Sequence, residues 1–222
     1  MADPRPTEDL IARLAAEAVP VRPLAPPLLR SAIWLGAALV LLATIVLVMG
    51  PRPDLADHLS RIDVLVPWLA SITTGVLATV AAFHLTLPDR GEAWRLVPLP
   101  TLALWLLALG ASCYSDWLRL GPDGLALGTS FMCLATIVLT SIPLSGLLYA
   151  MVRHGASIRP WATALTGALA VASLASAALD LFHGLSAAVM VLVWHLGSVA
   201  LVVLVFGAIG RHRFARPVAA HV

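Results

Sequence analysis

The sequence predicts an all-α polytopic membrane protein, with six transmembrane helices preceded by a short cytoplasmic amphipathic helix. Three observations lead there. Six apolar stretches, each near the length of a bilayer crossing, fill most of the 222 residues. Mean hydropathy is +0.93, and charged residues make up only 12% of the chain, about half the share of a soluble domain. The apolar runs are also continuous, without the alternation along ~10-residue strands that a membrane β-barrel needs.

The first element precedes the apolar runs. In the arm Met1–Arg30, Thr7 is placed to cap a helix over 7–18 whose first turn carries Glu8 and Asp9, setting negative charge at the positive end of the helix dipole. Leu10, Ile11, Leu14, Ala15 and Ala18 fall on one face, with Arg13 and Glu17 on the other. Pro20, Pro23, Pro26 and Pro27 follow and favour an extended tether. A helix of about 12 residues is marginal in water alone, so its apolar face needs a cover. Lipid or the cytoplasmic loops are one cover and a protein partner is the other. A membrane anchor helix is usually richer in basic residues and carries Trp or Phe, which tips the reading toward a partner.

Crossing a hydrocarbon core of about 30 Å takes about 20 apolar residues. The spans read Ser31–Gly50, Val64–Leu87, Leu96–Ser115, Ala126–Val152, Trp161–Phe182 and Ala187–Gly210. The first does not read as a cleaved signal peptide, because acidic residues precede it and Met49-Gly50-Pro51-Arg52 follows it instead of a small-x-small site. In the fourth, Pro143 removes a backbone donor, and Ser141 and Ser145 are placed to re-satisfy the freed groups. The fifth is rich in small residues, among them Gly167, Ala168, Ala170 and Ser173, and is expected at the centre of the bundle. The connecting loops are too short to fold alone.

Topology follows from arginine, since the chain has no lysine. Arg5, Arg13, Arg22, Arg30, Arg90, Arg95, Arg153, Arg159, Arg211, Arg213 and Arg216 share the side of the N-terminus, and Arg52, Arg61 and Arg119 the other. Both termini are therefore expected in the cytoplasm of a bacterial inner-membrane protein. The formal net charge of +2 needs no nucleic-acid partner to explain it.

Ionisable groups within a bilayer are functional candidates by default. Cys113, Cys133, His195, Asp116, Asp180 and His183 all fall in the outer half of the expected bundle. Cys113 and Cys133, on helices expected to be antiparallel neighbours, are candidates for disulfide range. With the histidines and carboxylates they are also candidates for a transient thiophilic metal such as Zn²⁺ or Cd²⁺. The plain alternative is that each cysteine is a small apolar side chain in packing. Haem ligation by His183 and His195 lacks a paired histidine at matching depth, and His84, beside Pro88 and Asp89, reads as interfacial. No resident cofactor is expected. Catalytic constellations such as HExxH or a Gly-rich phosphate loop are missing, so the chain reads as no enzyme. A small transporter or channel subunit is the rival class, and it wants a charged midplane site that these spans do not offer.

Three segments carry a family likeness. They are Asp9-Leu10-Ile11-Ala12-Arg13-Leu14 running on to Pro20-Val21-Arg22-Pro23-Leu24, the stretch CLATIVLTSIPLSGLLYAMVRHGASIRP from Cys133 to Pro160, and Leu181-Phe182-His183 followed by Val191-Leu192-Val193-Trp194-His195. In this order and spacing the chain resembles the NrsF-type membrane anti-sigma factors. The resemblance implies that the arm binds an extracytoplasmic-function (ECF) sigma factor and that the bundle senses an envelope, redox or metal signal that releases it. Leu10, Ile11, Arg13, Leu14, Val21 and Arg22 are then the expected contact residues. Cys113, Cys133, Asp180, His183 and His195 are the expected sensing set. The family pattern often has a second cysteine directly after the histidine near the fifth-to-sixth loop, where this chain has Gly184 after His183.

Overall fold

Proline opens three of the long helices, where its missing N–H is one of the donors a helix leaves unpaired and its fixed φ is already helical. The computed structural model describes residues 5–17, 24–121, 131–153 and 159–182, with Gly197 and Leu204. Helices α1 (Arg5–Ala16), α2 (Pro27–Met49), α3 (Leu55–Ser60) and α4 (Ile62–Leu85) come first. A 3₁₀ turn (Glu92–Leu96), α5 (Leu99–Leu120), α6 (Phe131–Val152) and α7 (Pro160–Leu179) follow. There is no strand among the described residues. Among the described residues four stretches are long and apolar enough to cross a membrane: Pro27–Met49, Ile62–Leu85, Glu92–Arg119 and Pro160–Leu179. Helix α6 answers to the fourth expected span, with residues 126–130 of that span outside the described residues. The expected sixth span, 187–210, also lies outside them apart from Gly197 and Leu204.

Element ends differ from expectation for local reasons. Helix α2 starts at Pro27, a turn before Ser31, so Pro27 belongs to the helix and the tether ends at Pro26, the N-cap. Gly50 at φ 83° ends α2, and α5 runs past Ser115 to Leu120 before Gly121 at φ 63° stops it. Helix α3 occupies a stretch expected as loop. Its Asp57 lies in the first turn and His58 in the last, matching the dipole, while Leu55, His58 and Leu59 lie half-buried at helical spacing against α4.

Helices α4 and α7 form the centre, as the small residues of the fifth expected span require. Their most extensive contacts are with each other, α2 and α5 flank α4, and α6 packs on α7 and α2. At Gly75 a Cβ would stand 2.6 Å from Leu174 Cγ, which shows how closely the two helices approach. Three buried hydroxyls of these helices are satisfied inside their own helices: Thr74 donates to the Ala70 carbonyl at 2.7 Å, Thr79 to Gly75 at 2.8 Å and Ser173 to Leu169 at 2.7 Å. Such a seam buries little apolar area. Its stability comes from close packing, the term that holds helices together in lipid. The larger core side chains, Trp34, Phe83, Leu144 and Val171, fill the space between α2, α4, α6 and α7.

Alternating direction sorts the helix ends into two groups. One end gathers Arg30, the 85–99 connection, Met151 and Arg159; the other gathers residues 50–63, Arg119 and Leu181.

Candidate docking arm and its seat on the bundle

Helix α1 begins at Arg5, two residues ahead of the expected cap Thr7, which therefore lies inside the helix. Pro6 suits a first turn, where no intrahelical donor is needed. Glu8 in the first turn and Arg13 in the last complement the dipole, and the Glu17 N–H donates to the Arg13 carbonyl at 3.0 Å. The helix ends at Ala16, short of the expected residue 18. Leu10, Ile11 and Leu14 are 55%, 61% and 60% exposed and stand one turn or less apart as a small apolar ridge, on a helix whose described side chains are all exposed. Arg13 is exposed beside it. Val21 and Arg22 lie outside the described residues.

Where the tether meets the bundle, exposure changes within one turn. Leu28 and Leu29 are exposed, while Arg30 and Ser31 are buried. Arg30 donates to the Met151 carbonyl and, at 3.4 Å, to Thr86 Oγ1, and its guanidinium lies 4.9 Å from the Phe83 ring centre. Thr86 in turn donates to the Phe83 carbonyl at 2.7 Å. One turn further along α2, Trp34 Nε1 donates to the Leu144 carbonyl at 3.3 Å. Sequence reading treated Arg30 only as a topology charge. Ser141, expected to re-satisfy the helix at Pro143, instead has a buried hydroxyl with no hydrogen-bond partner among the described residues. One residue beyond Pro143, the Leu144 carbonyl takes the Trp34 indole as a second donor.

The same end is fastened by loops. Arg159 donates to the Arg90 carbonyl at 2.6 Å and lies 3.6 Å from Glu92, which also pairs with Arg95 at 3.4 Å. His84, in the last turn of α4, is buried under Trp94, ring centres 3.8 Å apart. The 3₁₀ turn that carries Trp94 over it was absent from the sequence reading.

At the opposite end two of the expected sensing residues, Cys113 and Asp180, have described side chains. Cys113 is half-buried in α5, Cys133 is the third residue of α6, and Asp180 caps α7 with its N–H on the Ser176 carbonyl at 3.2 Å. The Cys133 side chain, His183 and His195 are outside the described residues, and the side chain of Asp116 is too. Helices α5 and α6, expected as neighbours, pack chiefly on α4 and on α7 with α2 respectively. No group of three His, Cys, Asp or Glu placed to hold a metal occurs among the described residues.

What does assemble there is a pair of Arg-x-Asp clasps. Arg52 grips Asp54 with two bonds of 2.7 and 2.8 Å, and its backbone N–H donates to the Leu181 carbonyl at 3.0 Å, tying the loop to the end of α7 beside Asp180. Arg61 pairs with Asp63 at 2.6 Å. The hydrogen bonds from Arg52 hold the Asp54 carboxyl below the usual carboxylate range. Both clasps were legible as a repeated Arg-x-Asp spacing.

Among curated proteins and solved structures none gives a significant match. The family described as negative regulator of sigma F, NrsF, matches residues 14–216, from the last leucine of the α1 ridge through the whole bundle. With more than nine-tenths of its length so matched, the chain belongs to the NrsF family of negative regulators of sigma F.

Proposed function

We propose that the chain is a membrane-bound anti-sigma factor of the bacterial inner membrane. Both termini face the cytoplasm, and the arm sequesters an ECF-type sigma factor. The observation that carries this reading is the exposed Leu10, Ile11 and Leu14 ridge on a helix tethered ahead of an NrsF-family bundle. An apolar ridge of this kind wants a partner groove read by i, i+1 and i+4 anchors, with Arg13 and the tether residues Val21 and Arg22 at its margin. Each fully buried leucine contributes about 1.5–3 kcal/mol. Replacing Leu10 and Leu14 by Ala is therefore expected to free the sigma factor while the bundle stays inserted. Undiminished sigma capture by that double variant would remove the ridge from the account.

Orientation is supported by charge. Arg30, Arg90, Arg95, Arg153 and Arg159 belong to the end that carries the arm, against Arg52, Arg61 and Arg119 at the other. For sensing we keep the outer-half set Cys113, Cys133, Asp180, His183 and His195, responding to an oxidant or a thiophilic metal. The partners are then the sigma factor and the bilayer, with no direct nucleic-acid contact and no resident cofactor.

A further inference from the structure

A helix leaves its last carbonyls without intrahelical donors, and its C-terminal end carries about half a negative charge. Two such ends meet a single guanidinium here. Helix α6 ends at Val152 and α4 at Leu85, and Arg30 donates both to the Met151 carbonyl and to Thr86, the residue that closes α4. The Phe83 ring presents its face to the same cation. Arg30 is only 5% exposed, and a buried cation is costly unless compensated. Two helix C-termini and a ring face compensate it from three sides. The planar fork reaches two acceptors at once, which the single ammonium of lysine does less well.

Trp34, fully buried one turn on, adds a second donor to the Leu144 carbonyl. The root of α2 is thus held to α6 by side-chain donors on α6 backbone acceptors, at Leu144 and at Met151. Both acceptors lie beyond Pro143, the interior proline of α6. Three residues before Arg30 the helix begins at Pro27, and the tether to α1 lies directly upstream.

We propose that Arg30 and Trp34 form a joint through which displacement of α6 is transmitted to the arm. This inference rests on the anti-sigma reading and deepens it, naming the place where the bundle controls the docking helix. A shift of α6 beyond Pro143 moves two carbonyls, the carbonyls move the root of α2, and the arm changes its angle. Arg30 is on this account a positioning residue that touches no partner.

The test uses the full-length protein in lipid nanodiscs, with α6 perturbed by Pro143→Ala. Removing the ring lets residue 143 donate to the Leu139 carbonyl and so changes the course of α6 ahead of Leu144 and Met151. Spin labels go on Leu24, in the tether, and Leu107, on the exposed side of α5, in a background with Cys113→Ser and Cys133→Ser. The expected result is that Pro143→Ala shifts the label distance by about 1–2 Å, the scale of helix shifts in switching proteins, and lowers sigma retention several-fold. Adding Arg30→Gln or Trp34→Phe should cancel both effects, and Arg30→Lys should restore them in part. Trp34→Phe introduces no buried-charge change, so it carries the test if Arg30→Gln fails to insert. An undiminished Pro143→Ala shift in both joint variants overturns the proposal, as does the absence of any shift in the parent. If the parent shows the shift but retains no sigma factor, the anti-sigma reading fails while the mechanical joint stands.

Discussion

Two glycines separate close packing from spare room. A Cβ at Gly75 would meet Leu174 at its branch carbon, 2.6 Å away, with the Ala170 carbonyl oxygen at 3.4 Å. A Cβ at Gly167 would meet only the tip of Leu148, Cδ2 at 2.7 Å with Cγ at 3.8 Å. A branch carbon moves only with its whole side chain, whereas a methyl tip swings aside. Gly75→Ala is therefore expected to cost about 1–3 kcal/mol, the usual range for overpacking, and Gly167→Ala clearly less. Unfolding midpoints of the two variants in detergent check the order, and equal midpoints would contradict the close α4–α7 approach. At this scale the sequence showed which residues are small but not which small residue is tight. Arg30 was harder still. Its acceptor on Met151 is 121 residues away, a relation that no local pattern encodes, and the arginine count used for topology treats every arginine alike.

Among the elements, the long helices were legible from length and hydropathy, with proline at the start and glycine at the end agreeing for α2 and α5. Short elements were not, because α3 and the 3₁₀ turn are held by what they pack on rather than by their own propensity. Helix α3 offers a pH test. Burial first, and then the Arg52 charge, hold the His58 imidazole below its ordinary value of 6.5. The unfolded segment thus binds a proton more readily than the folded one, and the stability that His58 contributes is present above about pH 6.5 and lost as pH falls below it. Asp54, held below the usual carboxylate range by Arg52, stays charged through that window. Backbone amides of Leu55–Ser60 should exchange faster as the pH falls from about 7 to about 5. His58→Gln should flatten that dependence, and an unchanged slope would show that His58 does not govern α3.

At the scale of the whole molecule the parts divide into a bundle and an arm. The bundle's centre is a seam of glycine, alanine and hydroxyl residues, sound in lipid and poor in water, and its helix ends collect arginine mostly on the arm's side. The outer half is where the sequence suggested a sensing cluster, and the described residues bring none together there. Cys113 and Cys133 sit on helices whose main contacts are elsewhere, so their pairing is a separate question from the fold. If they sense, Cys113→Ser or Cys133→Ser shifts the dose response of sigma-dependent transcription to an oxidant or to cadmium. An unchanged response in both variants leaves the cysteines as packing residues.

The central claim is that the arm is what holds the sigma factor. Because α2 begins at Pro27 with Pro26 as its cap, a variant lacking residues 1–25 keeps the first helix of the bundle whole. Intact and shortened proteins, tagged and solubilised from membranes at equal abundance, are compared by affinity capture. The account predicts that the intact protein recovers a sigma factor and the shortened one does not; equal recovery by both, or recovery by neither, would contradict it.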